Sequence, residues 1–179
     1  VGYDTRFASE HFAAAVAEVL GANGVKVWLC QEASPTPVVS YSILDKKAAG
    51  GVMITASHNP GIWNGLKLRA EYAGAASPEI IDQVEKRIKE VQSGPGPRRA
   101  PLEELISSGH VAYLDPKPAY FQQIGRLVDL KAIRGAGLHV VADAMYGAGA
   151  GYFSALLQGG TTAVTNIRSH RNPIFPGIN

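Results

Sequence analysis

LHVVADAMYGAGAGYFSALLQGG, residues 138–160, decides the fold class. An apolar, β-branched run from Leu138 to Ala142 leads into the glycine turn Gly147–Gly151, and residues 152–157 resume as an apolar helical segment. Strand, tight turn and helix in that order make half of a parallel α/β unit, since the helix carries the chain back across the sheet. Thr161 to Ile167, TTAVTNI, then supplies the next parallel strand.

The same alternation runs through the residues before it. HFAAAVAEVL (11–20) sets Phe12, Val16, Val19 and Leu20 at i, i+4, i+7 and i+8, an amphipathic helical stripe that Gly21 and Gly24 can end. VKVWLC (25–30) reads as a strand. Ser34-Pro35-Thr36-Pro37 breaks it and opens a second helix through VVSYSILDKK, proline being well suited to a first helical turn. GGVMIT (50–55) is a short buried strand and GLKLRAE (65–71) another. Ser77-Pro78 caps a helix whose apolar face is Ile80, Ile81, Val84, Ile88 and Val91 and which Gly94 ends. SGPGPRRAP (93–101) reads as a surface loop, and helical and loop signals continue to Asp115-Pro116. PAYFQQIGRLVDLKAI (118–133) reads as one helix, with Tyr120, Ile124, Leu127 and Val128 on one side, and RSHRNPIFPGIN (168–179) as irregular. The expected architecture is α/β, three-layer α/β/α units with mostly parallel sheets. Residues 1–115 make one nearly complete domain and residues 116–179 part of a second.

Composition narrows the function classes. An apolar fraction of 46% and a charged fraction of 18% in 179 residues fit a globular protein with a real core. A net charge of +2 gives no reason to expect a nucleic-acid partner, and the apolar runs are too short and interrupted for a membrane partner or a transmembrane helix. The single cysteine, Cys30, lies in a strand-like run and reads as a buried thiol in a cytoplasmic protein. A start at Val1-Gly2, inside an element, and a stop at PGIN suggest a piece of a longer polypeptide.

Two segments carry candidate chemistry. Gly147, Gly149 and Gly151 form G-x-G-x-G, but a dinucleotide fingerprint needs G-x-G-x-x-G, and Tyr152 stands at its last position. No acidic residue follows about 20 positions on, where a ribose partner belongs. The turn reads as structural. The other segment is MITASHNPGIWNGLK (53–67), which sets its most polar residues directly after a buried strand. Asn59-Pro60 and Asn64-Gly65 form turns, so strands 50–55 and 65–71 can flank a loop carrying Ser57, with Lys67 facing it. A serine hydroxyl is a weak nucleophile without help, and a lysine would offer charge to an anionic substrate or to a phosphorylated serine. Ser57 and His58 are no catalytic pair, because adjacent side chains in an extended segment point apart. On these residues alone, a functional Ser57 and an exposed hairpin loop stand level.

Thr55-Ala56-Ser57-His58-Asn59-Pro60 followed by Asn64-Gly65-Leu66-Lys67 resembles the phosphoserine loop of the α-D-phosphohexomutases, the family of phosphoglucomutases, phosphomannomutases and phosphoglucosamine mutases. Val1-Gly2-Tyr3-Asp4-Thr5-Arg6 is similar to that family's V-G-x-D-T-R segment, Ser34-Pro35-Thr36-Pro37 to its P-T-P segment, and Asp143–Gly149 to the D-x-x-x-G-x-G turn of its second domain. NPIFPGIN (172–179) resembles the segment before that domain's later strands. The resemblance implies a hexose-phosphate mutase in which Ser57 carries a phosphoryl group between C1 and C6 of the sugar through a hexose 1,6-bisphosphate. It implies Mg²⁺ on the Ser57 phosphate, with aspartate ligands from a D-G-D-x-D-R loop that these residues lack. Lys67 would serve acid–base work or charge stabilisation, His58 proton transfer or loop placement, and Arg6 a phosphate contact or an Asp4–Arg6 tie from loop to helix. Asn59 and Asn64 would shape the loop, and His170 and Arg171 match no role. Without the family's metal, sugar and phosphate-binding parts, these residues alone are expected to be inactive. The alanine in T-A-S-H-N-P leans toward glucose phosphates over mannose or glucosamine phosphates. A non-catalytic sugar-phosphate-binding relative and an unrelated nucleotide-binding module are the alternatives.

Overall fold

The computed structural model describes residues 1–178; Asn179, the last residue of NPIFPGIN, lies outside them. In the first unit, β3 (Gly50–Ile54) pairs with β1 (Gly2–Tyr3) in parallel and with β4 (Leu66–Ala70) antiparallel. β2 (Val27–Cys30) pairs in parallel with β5 (Val111–Leu114). Val1 links the two ladders: its amino group donates to the Trp28 carbonyl at 2.6 Å and its carbonyl accepts from Cys30 N at 2.9 Å. Across the unit the strands therefore run β4, β3, β1, β2, β5, and only β3–β4 is antiparallel. That one reversal is the hairpin that carries Ser57.

Helices cover both faces, as the alternating pattern requires. On one side α1 (Ser9–Ala22) and α4 (Leu102–Ser107) bury Ala13, Ala17 and Leu105 against Val27, Leu29, Ile54 and Val111. On the other, α2 (Thr36–Asp45) packs Val39 against Cys30 and Met53. Met53 is essentially sealed, a burial worth about 1.5–3 kcal/mol. The approach of α2 is close: a Cβ on Gly2 would lie 2.4 Å from Val39 Cγ2. Cys30 is a buried thiol, as expected from its strand.

Three expectations need correction. The buried stripe of α1 is Ser9, Ala13, Ala17 and Gly21, whereas Phe12 is half exposed. Small residues let the helix lie close to the sheet, and Val16 and Leu20 pack only along its flank. The helix expected over 118–133 is two helices, α5 (Lys117–Leu127) and α6 (Leu130–Gly135). Val128 is extended, and the Asp129 carboxylate caps the second helix by accepting from Ala132 N at 2.9 Å. Strand β5 has only four residues and hides among helical signals. Ser77 does cap α3 (Pro78–Gln92), with Pro78 in its first turn, yet no residue of α3 is buried and its apolar face adds little core.

The second unit holds β6 (His139–Asp143) and β7 (Ala163–Ile167), parallel, joined through α7 (Tyr152–Leu157). Asp143 closes the glycine turn by accepting from Met145 N at 2.9 Å and from the Arg168 guanidinium, and Gly151 enters α7 at φ 80°. No helix among the described residues is long and apolar enough to cross a membrane.

Tyr152 packs edge-on against Phe121 and is nine-tenths buried, with no hydrogen-bond partner for its hydroxyl among the described residues. Burial pushes this phenol up to about 12. In the unfolded chain it titrates near ~10. Between those values the unfolded state gives up the proton first, so stability is whole below pH ~10 and falls as pH rises toward 12. Tyr152→Phe is expected to flatten that alkaline limb and to leave the neutral-pH midpoint unchanged or slightly raised, since an unpartnered buried hydroxyl contributes nothing. Urea midpoints from pH ~7 to pH ~11.5 would check this; an unchanged alkaline slope would contradict it.

Candidate active site

The loop 55–65 begins where β3 leaves the core. Thr55 N donates to the Gly65 carbonyl at 2.8 Å, closing the base of the loop one rung beyond the β3–β4 ladder. Inside it, two local turns form, Asn59 N to the Ala56 carbonyl at 3.1 Å and Trp63 N to the Pro60 carbonyl at 3.0 Å. Ser57 sits in the left-handed region at φ 57°, a conformation rare for non-glycine residues that local contacts must hold.

Those contacts come from the segment between β1 and α1. Asp4 Oδ2 accepts from Thr55 Oγ1, which in turn accepts from Ser57 N at 3.0 Å. Asp4 Oδ1 accepts from Arg6 N at 3.0 Å and from Ser9 Oγ at 3.1 Å. Arg6 is 5% exposed, and its guanidinium reaches into the loop. Nη2 donates to the carbonyls of Ser57 and Asn59 at 2.8 and 2.6 Å, and Nη1 to those of Pro60 and Trp63, both at 2.9 Å. Nε lies 3.3 Å from Asp4 Oδ2. Asn64 closes the far side, donating to Ser9 Oγ at 2.8 Å and to the Phe7 carbonyl at 3.2 Å.

Of the two expectations for Arg6, a phosphate contact or a tie from loop to helix, the geometry favours the tie. Both terminal nitrogens are committed to four backbone carbonyls and Nε to a carboxylate, leaving no donor facing outward. Asn64 shapes the loop with its side chain, whereas Asn59 takes part through its backbone. Ser57 has the opposite character to Arg6. Its amide and carbonyl are both held, while its side chain is exposed and Oγ makes no hydrogen bond among the described residues. His58, beside it, is exposed as well. Lys67 pairs across the ladder with Met53, is exposed, and forms no ion pair among the described residues. Ser57, His58 and Lys67 thus share one end of the hairpin without hydrogen-bonding to one another.

A contribution missed in the sequence comes from the segment after β7. Arg171 donates to both Glu10 carboxylate oxygens, at 3.0 and 2.8 Å, and to the carbonyls of Thr5 and Arg6 at 3.2 and 3.1 Å. The Phe175 ring stands 5.6 Å from Arg6 Cζ. Nothing in RSHRNPIFPGIN signals this, since the partners lie more than 150 residues away.

For magnesium, the loop offers the exposed hydroxyl of Ser57. The described residues bring together no group of three or more His, Cys, Asp or Glu side chains, and both Asp4 oxygens are already occupied. A hard divalent cation takes about six oxygen ligands, so these residues by themselves do not fit the ion.

Comparison with known proteins gives consistent matches. Residues 1–94 match the family model described as phosphoglucomutase/phosphomannomutase, alpha/beta/alpha domain I. A phosphoglucosamine mutase of Rhodococcus opacus is 38% identical over 148 residues, covering 83% of this chain and 31% of the relative. A phosphoglucomutase of Staphylococcus saprophyticus is 27% identical over 155 residues, covering 80% and 28%. A crystal structure from Thermus thermophilus carrying the name phosphomannomutase superposes with a TM-score of 0.87 at 34% identity, covering 99% of this chain and 38% of that one. The chain spans about a third of the length of the curated relatives it matches.

Proposed function

Since the chain belongs to the phosphoglucomutase/phosphomannomutase family, we propose that it supplies the phosphoryl-carrying loop of a hexose-phosphate mutase, with Ser57 as the carrier. The observation that carries this reading is the asymmetry at residue 57: a backbone fixed on both sides and a hydroxyl facing solvent without a partner. A group that must accept and return a phosphoryl needs a fixed position and an unengaged oxygen.

The proposed reaction balances without an external donor. Phosphorylated Ser57 passes its phosphoryl to the free hydroxyl of a hexose monophosphate: the Oγ–P bond breaks, a sugar O–P bond forms, and the hydroxyl proton leaves. The resulting hexose 1,6-bisphosphate reorients, and its other phosphoryl returns to Oγ while a proton goes to the sugar oxygen. Lys67, an unpaired cation on β4 among the described residues, would stabilise charge on the moving phosphoryl; His58 would exchange the proton or hold the loop. Arg6 acts through the backbone of the loop. Magnesium would supply charge neutralisation when bound, with ligands beyond those described here. Relatives carry the names phosphoglucomutase and phosphoglucosamine mutase; among such substrates we favour glucose phosphates. A buried, unpaired Cys30 suits a cytoplasmic setting.

The test is to incubate the natural polypeptide with Mg²⁺ and glucose 1,6-bisphosphate and map phosphate by peptide mass spectrometry. Phosphate confined to Ser57 is the expected result. A folded protein with none on Ser57 would leave only the alternative, a sugar-phosphate-binding relative without transfer.

A further inference from the structure

The loop bearing Ser57 is gripped from two sides, and the second grip belongs to the other unit of the chain. Arg171 takes hold of the segment before α1 from behind, through the carbonyls of Thr5 and Arg6 and a two-pronged pair with Glu10. Four residues on, Phe175 covers the guanidinium of Arg6. The same ring abuts the loop itself: a Cβ on Gly61 would lie 3.0 Å from Phe175 Cδ2 and 3.3 Å from the Pro173 carbonyl. Gly61 is therefore the point at which the loop lets the second unit approach.

We propose that Phe175 and Arg171 are positioning residues for Ser57, so that the seating of segment 171–175 sets the geometry of the phosphoryl-carrying loop. The physical route runs through Arg6. Its four hydrogen bonds to loop carbonyls are made by a charged donor, and such bonds strengthen when water is kept from competing. Phe175 supplies the cover, and its ring attracts the cation it covers. Arg171 fixes the backbone from which the Arg6 side chain springs. Removing either frees Arg6 to exchange loop carbonyls for water, and the left-handed turn at Ser57 then loses its support. The catalytic meaning rests on the mutase reading; the mechanical coupling does not.

The test measures amide hydrogen exchange in the full chain, comparing Ser57, Asn59 and Trp63 with the ladder amides of β2 and β5. Phe175→Ala is expected to speed loop exchange at least tenfold with β2 and β5 unchanged, and Phe175→Tyr to restore it. Gly61→Ala should loosen the loop similarly, and combining it with Phe175→Ala should add little, because both act at one contact. If Phe175→Ala proves too unstable, Arg171→Lys, which keeps the charge near Glu10 but loses the fork, serves in its place. Loop exchange that stays constant, or rises by the same factor as in β2 and β5, would overturn the proposal. Phosphate mapping on the unmodified protein runs alongside. Absence of label on Ser57 sinks the mutase reading, while the exchange data still decide the coupling.

Discussion

Alanine at position 57 is expected to abolish phosphate incorporation from glucose 1,6-bisphosphate completely while shifting stability by no more than about 0.5 kcal/mol. The two halves follow from one observation. Residue 57 is held through its amide, bonded to Thr55 Oγ1, and its carbonyl, bonded to Arg6 Nη2. Alanine keeps both, and its left-handed backbone is strained to a similar degree. What it removes is an exposed oxygen that bonds nothing among the described residues. No other side chain stands in, since the adjacent His58 would bring nitrogen chemistry from a different point on the backbone. A urea titration checks the fold and mass spectrometry of the loop peptide checks the label. Label surviving at the original level elsewhere in the protein would dismiss Ser57 as the carrier.

Replacing Arg6 by methionine should do the reverse, damaging fold and transfer together. Four carbonyls lose their donors and Asp4 its cation, all in a part-buried setting. Breaking such a charge constellation from one side costs about 3–5 kcal/mol. Transfer to Ser57 should fall by two or more orders of magnitude even under conditions where the protein remains folded, because a misplacement of ~1 Å in a reacting group costs that much. Arg6→Lys restores the charge, but its ammonium has three donors at a single point where the fork spans four acceptors. It should recover most of the stability and little of the transfer. The contrast separates charge from shape. Equal recovery of both would mean that the loop holds its own form and that Arg6 only neutralises Asp4.

Much of the architecture was legible because it rests on local signals. The Ser77-Pro78 cap, the glycine turn before α7 and the apolar runs of β2, β3 and β6 each announce themselves within a few residues. The loop was legible too, through its two Asn-containing turns and its family resemblance. Less visible was how it is held. Asp4 and Arg6 are two residues apart in sequence, yet their partners lie more than fifty positions away, and no periodicity encodes that. The buried face of α1 is hard to read from sequence because alanine gives a weak signal by size where closeness matters most. The break at Val128 could have been found, since Asp129 is a ready N-cap, but the apolar run across it reads as one stripe.

The left-handed backbone of Ser57 has an evolutionary consequence. Serine and threonine carry the same alcohol, and elsewhere one commonly drifts into the other. Here a β-branched side chain would meet its own backbone at φ 57°. Threonine would carry a larger conformational cost than serine at this position, before any question of reactivity arises. Asparagine and glycine, which tolerate the turn, lack the hydroxyl. Of the two aliphatic alcohols, therefore, serine is the one that fits the bend at the lower conformational cost.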